Sequence, residues 1–292
     1  MIAIGYARVS AAALLLAIAF GAGVPAFAAG GKHVQIDRQP WSFAGLFGKF
    51  DEAQLQRGFK VYTESCQRCH GVKRLAFRNL VEAGGPGFSE KQIKSLAADK
   101  YKVDSEPNDQ GKIVKRPAIL SDLIPPPFKN EQEARSAQPG GALPPDLSLI
   151  VRARSVETDN PFYLVPFAMV RDIVSGYQEA GADYLYAYLT GFKPPPAGTK
   201  IPEGMNYNRA FPDPHMTAMP NPFAAGDRDI KYTDGKPETV DNYARDVTAF
   251  LAWVADPKLE ERKRLGLLAM GYLLITALLL YFAKRRIWSK AH

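Results

Sequence analysis

Cysteine is almost absent from this 292-residue chain: there are two, at positions 66 and 69. That excludes a disulfide framework, and it excludes an all-thiolate metal cluster, which needs four. Histidine is nearly as scarce, with four residues, of which only His33 and His215 lie outside the cysteine neighbourhood and the extreme C-terminus. A zinc site therefore lacks ligands. The chain also lacks a basic surface of the kind that holds nucleic acid. Its formal charge is +7, but residues 259–292 hold seven Lys/Arg against two Glu, and Arg8 lies in the leader. Residues 30–258 carry 29 basic and 28 acidic side chains, so no nucleic-acid role follows. There is no internal repeat. Pro (23) and Gly (24) are plentiful, which predicts long irregular connections over an ordinary core, the apolar fraction being 46%.

Long apolar runs are confined to the two ends. Near the N-terminus, Arg8, the run Ala11–Phe20 and the small-residue site Ala26-Phe27-Ala28 read as a signal peptide, residues 1–28, cleaved after Ala28. Gly21, Gly23 and Pro25 break that run too early for a full span. At the other end Leu265–Ala283 carries no charge and is bracketed by Arg262-Lys263-Arg264 and Lys284-Arg285-Arg286. Nineteen helical residues cover roughly 28 Å at 1.5 Å each, about one bilayer core, and Tyr272, Tyr281 and Trp288 suit its interfaces. The export signal orients this single span: residues 29–258 form a periplasmic domain, and 259–292 an inner-membrane anchor with a short cytoplasmic tail, Lys284–His292.

Both cysteines fall in Cys66-Gln67-Arg68-Cys69-His70. C-x-x-C-H is the attachment sequence of c-type haem: two thiols spaced to meet two vinyl groups, with an imidazole immediately after to reach the iron. A redox C-x-x-C would want a thioredoxin-like strand–helix context, which is missing. One covalent haem c is expected. Asp51 caps a predicted helix leading to the motif, with Gln54 reaching back in a capping box and Leu55, Phe59 and Tyr62 at helical spacing. A second helix starts near Thr239, with Val240, Tyr243, Ala244, Val247, Phe250, Leu251 and Val254 on one side, and Pro257 separates it from the anchor. The fold class is mainly α, a c-type cytochrome domain with long Pro-rich loops plus one C-terminal transmembrane helix.

The sixth iron ligand sets the chemistry, since a thioether favours ferrous iron and a filled site suits electron transfer. Met169 sits in the apolar run Phe167–Val170, where packing is the better reading, and Met205 sits in a Gly-rich turn. Met216 and Met219 lie in the Pro-rich stretch Phe211–Pro222, with His215 a weaker rival; residue chemistry leaves these open.

The chain resembles the cytochrome c1 family, the haem subunits of ubiquinol–cytochrome c reductase (cytochrome bc1). The resemblance rests on Arg57-Gly58-Phe59-Lys60-Val61-Tyr62 before the motif, Asn130-Glu131 through Ala134-Arg135, and Gly141 through Pro144-Pro145-Asp146-Leu147-Ser148. Asp183-Tyr184, Leu189 to Gly191, Tyr207-Asn208 with Phe211-Pro212, Asp246-Val247 with Phe250-Leu251, Trp253, and Arg262 to Arg264 extend it from about Trp41 to Trp288. It implies axial ligation by His70 and Met219, because bacterial members follow that Met with Pro, as Met219-Pro220 does here. One extra residue between Pro212 and Met219 keeps Met216 as the alternative. It further implies that Arg154 meets a haem propionate, that Tyr184 lies near the haem, and that Pro144 and Pro145 pack on the His70 side. Residues 155–181 and Gln138-Pro139 depart from the family pattern.

The implied function is electron transfer from the Rieske iron–sulfur protein to a cytochrome c, beside cytochrome b. The chain is then no enzyme on its own but a subunit of an oxidoreductase complex. A membrane-tethered carrier outside such a complex is the alternative, and an open-haem enzyme a more distant one. Acidic residues such as Glu82, Glu90, Asp99, Asp104, Glu106 and Asp109 are either ordinary solvated surface or a means of steering a basic partner.

Overall fold

A computed structural model describes residues 34, 36–155, 161–175, 177, 179–224 and 230–289. The leader at 1–28 lies outside them. Among the described residues helices dominate: α1 Glu52–Glu64, α2 Glu90–Lys100, α3 Glu131–Ser136, α4 Ile150–Ala153, α5 Val165–Ser175, α6 Ala180–Thr190, α7 Val240–Ala255 and α8 Leu259–Trp288. Two small antiparallel pairs join them, β1 Lys102–Asp104 with β2 Lys115–Pro117, and β3 Asn206–Tyr207 with β4 Met216–Thr217. The stretches between, notably 191–205 and 208–215, are the Pro-rich loops that the composition predicts.

The core is the crossing of α1 and α7. Asp51 caps α1 through the Gln54 backbone N–H, as expected. The Gln54 side chain does not reach back, however. It donates instead to the Asp246 carboxylate on α7, at 3.1 Å. The crossing brings a buried carboxylate within reach of the Gln54 amide N–H, and satisfying that charge turns the side chain away from the cap. Thr239 caps α7 in the same manner, accepting from the Asn242 backbone. Phe59, Tyr62, Phe250 and Trp253 fill the interface, with ring centroids 5.6–5.8 Å apart. Such offset and tilted pairs add to plain area burial.

Two features make the crossing close. Gly58 has no side chain, and a Cβ there would lie 2.1 Å from the Asp246 carbonyl oxygen and 2.6 Å from the Phe250 Cβ. Asp246 is wholly buried. Its carboxylate accepts from Arg57 Nε at 2.8 Å and from Lys236 Nζ at 3.2 Å. A buried charge is tolerated when it is paired and hydrogen-bonded in this way. The same cluster ties the loop bearing Lys236 to both helices.

The fold continues into the apolar helix almost without a break. α7 ends at Ala255, Pro257 follows, and α8 begins at Leu259, which is buried. Among the described residues α8 is the one helix long and apolar enough to cross a membrane. Its first turns are fastened to the domain. Phe50 N–H donates to Glu260 at 2.9 Å, Lys263 Nζ donates to the Phe43 carbonyl at 2.7 Å, and Asp256 accepts from Arg152 at 2.8 Å and from Arg262 at 2.5 Å.

One expectation fails. The apolar run at Phe167–Val170 does form a helix, α5, but it buries nothing: Met169 is well exposed, as are its apolar neighbours. Packing does not account for Met169, because no element among the described residues covers this helix.

Gly58→Ala tests the crossing. Alanine normally favours a helix over glycine by about 0.5–1 kcal/mol. Here the added methyl meets backbone, and overpacking costs about 1–3 kcal/mol. The variant is expected to melt at a lower temperature than the parent in calorimetry; an unchanged or higher melting point would refute the close crossing.

Candidate functional site

The C-terminal end of α1 leads directly into the cysteine motif. A 3-10 turn, Cys66–Arg68, follows the cap residue Ser65 and turns the chain so that both cysteines and His70 face one cavity. Backbone bonds hold this turn: the Cys69 N–H reaches the Cys66 carbonyl at 3.1 Å and the His70 N–H reaches it at 2.9 Å. Tyr62, one helical turn earlier, donates its hydroxyl to the His70 carbonyl at 3.1 Å.

The cavity measures about 320 Å³ and its wall is mostly apolar. Neither thiol has a disulfide partner, and Cys66 is buried. The imidazole of His70 is buried too, with its Nδ1 2.8 Å from the Pro145 carbonyl oxygen. A carbonyl can only accept, so Nδ1 carries the proton and the Nε2 lone pair is left for another partner. Burial pushes the imidazole pKa down, against smaller raising effects of the Pro145 carbonyl and Asp146. The ring is therefore held neutral, the form that binds metal.

The Pro-rich stretch forms another part of the wall, and three contacts position it. Asn208 is buried, donating to the Tyr188 carbonyl at 2.7 Å and accepting from the Ala210 N–H at 2.9 Å. Thr217 shares a 2.8 Å hydroxyl bond with Tyr188 and accepts from the Met219 N–H at 3.3 Å. Farther along, the Pro222 carbonyl accepts from Ser65, at the end of α1, at 3.1 Å. Met219 lies between these pins and lines the cavity. Met216 does not. Adjacent strand residues face opposite ways, and Thr217 faces inward, so Met216 pairs with Tyr207 in the β3–β4 register on the other side. His215 turns aside, its Nδ1 2.6 Å from the Phe211 carbonyl. Met169 and Met205 are also outside the wall.

Arg154, Tyr184, Pro144 and Pro145 all reach the cavity. Arg154 is solvent-exposed at its residue level, so its guanidinium belongs to the mouth. It acts electrostatically on Tyr188, whose hydroxyl burial pushes up to about 12. The sequence reading missed Tyr188, Thr217 and Gln138, whose amide lies 3.6 Å from the Cys69 sulfur. Tyr188 was signalled by its position one turn after Tyr184; the rings stack at 6.2 Å. Nothing in the sequence signals the other two.

These residues fit a c-type haem on their own chemistry. The wall offers two thiols at attachment spacing, a neutral imidazole whose Nε2 can face a metal, a thioether from a separate segment, and a cation to meet a carboxylate. The sequence model of the Cytochrome C1 family matches residues 41–291. The chain belongs to the cytochrome c1 family. Among its relatives, "Cytochrome b/c1" of Bradyrhizobium diazoefficiens is 49% identical over 253 residues, 86% of this chain but 35% of that protein. Cytochrome c1 of Blastochloris viridis is 41% identical over 276 residues, 94% of each chain. "Cytochrome c1, heme protein, mitochondrial" of Saccharomyces cerevisiae is 40% identical over 250 residues, 85% of this chain and 71% of that one. This chain thus spans about a third of the Bradyrhizobium relative and nearly all of the Blastochloris one. For a cytochrome c1, the mainly helical fold and the apolar C-terminal helix are those of a membrane-anchored cytochrome.

Thr217→Val tests how the methionine-bearing wall is held. It keeps the shape of Thr217 and removes the partner of the half-buried Tyr188 hydroxyl, a loss of about 0.5–1.5 kcal/mol. Chemical denaturation should show that loss, and the Thr217→Val, Tyr188→Phe double variant should recover part of it, because both partners are then apolar. Equal stability of parent and single variant would remove the bond from the account.

Proposed function

We propose that this chain is the electron-transferring haem subunit of a cytochrome bc1 complex, receiving electrons from the Rieske iron–sulfur protein and passing them to a cytochrome c. The carrying observation is that Cys66, Cys69, His70 and Met219, drawn from two separate segments, line one apolar cavity. A haem bound there supplies a reversible one-electron ferric–ferrous couple.

The residues divide the remaining work. Cys66 and Cys69 would hold the group covalently, as thioethers to its two vinyl-derived substituents. His70 offers Nε2 to the iron, its orientation set by the Pro145 carbonyl. Met219 offers its sulfur on a loop pinned by Thr217 and Pro222. Arg154 stands ready to pair with a propionate, and Tyr184 and Pro145 line the ring's surroundings. The apolar wall excludes water, so little needs to rearrange when charge changes. On this reading the chain has no catalytic residue of its own; the reaction belongs to the complex.

The placement follows from the two ends. Residues 1–28 are a cleaved leader, residues 29–258 the periplasmic domain, and α8 crosses the inner membrane once with its C-terminus in the cytoplasm. Cytochrome b is the neighbour in the membrane. "Cytochrome b/c1" names such a combination in the Bradyrhizobium relative, which supports this partner.

Met219→Leu and Met216→Leu separate the ligand assignments. The Met219 variant is expected to lose the low-spin, thioether-ligated ferric spectrum, while the Met216 variant keeps it. The reverse pattern overturns the Met219 assignment. Purification in mild detergent addresses the complex: the chain should elute with cytochrome b, whereas elution alone would favour an independent tethered carrier.

A further inference from the structure

The exposed helix α5 and the loop at Leu46-Phe47 share a property that electron transfer does not use. Both present large apolar side chains to solvent. Phe47 is 79% exposed, Phe162 87%, Phe167 73% and Val174 79%, with Tyr163, Val170 and Ile173 beside them. No residue of α5 is buried. Contiguous exposed apolar surface on a folded domain marks an interaction site.

The location indicates what meets this surface. Phe43 and Phe50 flank the Leu46-Phe47 loop, and both are bonded to the first turns of α8: the Phe43 carbonyl to Lys263, the Phe50 N–H to Glu260. The apolar span begins two residues after Lys263, at Leu265. The loop therefore stands where the chain leaves the domain for the membrane. The end of α5 is tied to the same place. Asp172 pairs with Arg38 at 2.8 Å, and the Arg38 guanidinium lies 3.6 Å over the Tyr177 ring. Arg38 is five residues from Phe43, a chain reach of at most roughly 17 Å. Glu179, four residues past α5, acts electrostatically on Lys263. Arg264, next to the paired Arg262 and Lys263, is exposed at the same level and suits a lipid phosphate.

We propose that α5 and the Leu46-Phe47 loop form an apolar collar around the base of the anchor, lying in the interfacial region of the bilayer leaflet that faces the domain. The occupant of this surface is phospholipid. The loop adjoins the start of the span through Phe43 and Phe50, apolar side chains are exposed along α5, and a short amphipathic helix buries its apolar face at the headgroup–acyl boundary in this manner. It would set the height and tilt of the domain over the membrane, which a single span leaves to its flanking contacts.

The test uses the purified membrane complex in nanodiscs of phosphatidylcholine doped with a phosphatidylcholine carrying a diazirine on its acyl chain. After illumination, peptide mass mapping locates the lipid adducts. Adducts in 265–283 report the span and serve as the internal control. The proposal expects further adducts in 161–175 and 44–48. Labelling confined to the span, or missing from either segment, overturns it; this is also the pattern expected if another subunit covers the collar. In the double variant Phe167→Glu, Val174→Glu, labelling of 161–175 should drop to background while labelling of the span and the haem content stay unchanged. Retained labelling of 161–175 in that variant would equally overturn the proposal.

Discussion

The buried contact between Gly58 and Asp246 governs the rest of the molecule. It lets two helices meet backbone to backbone, and it places a carboxylate where water cannot reach. That carboxylate must be paired, because an unpartnered buried charge is among the costliest things a fold can hold. Arg57 and Gln54 come from α1 and Lys236 from the loop before α7, so one charge fixes three segments. The cysteine motif begins two residues after α1 ends. Its position in space is therefore set by a contact two helical turns away, with Phe59, Tyr62 and Phe250 filling the space between. Loss of that register would move both thiols and the imidazole together.

The cavity wall shows a consistent division between apolar lining and a few polar groups that act on other protein groups. Pro145 contributes a carbonyl, which cannot titrate and has no rotamer to lose; it orients His70 more firmly than an exposed side chain would. Thr217 acts on Tyr188 and on the Met219 backbone. None of these polar groups needs water as a partner. A site built this way keeps the same hydrogen bonds in either oxidation state of a bound metal, which suits transfer of an electron better than transfer of a group.

Much of the architecture was legible in the sequence because its signals are local. Asp51 and Thr239 announce helix starts within three residues of themselves, C-x-x-C-H spans five, and the anchor is a continuous apolar run. What the sequence left open depends on distant partners. Which of Met216 and Met219 lines the cavity depends on the strand register with Tyr207 and on a hydroxyl pair, Tyr188 and Thr217, separated by 29 residues. Gln54 forsakes its own cap for a carboxylate 192 positions away. Met169 was misread for the opposite reason. Helical periodicity reports that a face is apolar, not what covers it, and here no element among the described residues does. The uncovered helix falls within residues 155–181, the stretch that the sequence reading expected to depart from the family pattern.

The junction between domain and span argues against a tethered carrier. A shuttle needs a flexible linker, so that its haem can visit separated partners. Here three residues, Asp256, Pro257 and Lys258, separate α7 from α8. Proline removes backbone freedom, Asp256 is bonded from both sides by Arg152 and Arg262, and Leu259 is buried in the domain. Each surface ion pair contributes little alone. Together with the Glu260 and Lys263 contacts to backbone, they leave α8 no independent swing about its first turn. The cavity is then held in one place relative to α8. A redox centre fixed in this way must have its donor and acceptor come to it, and that is the condition met by a subunit seated beside its partners.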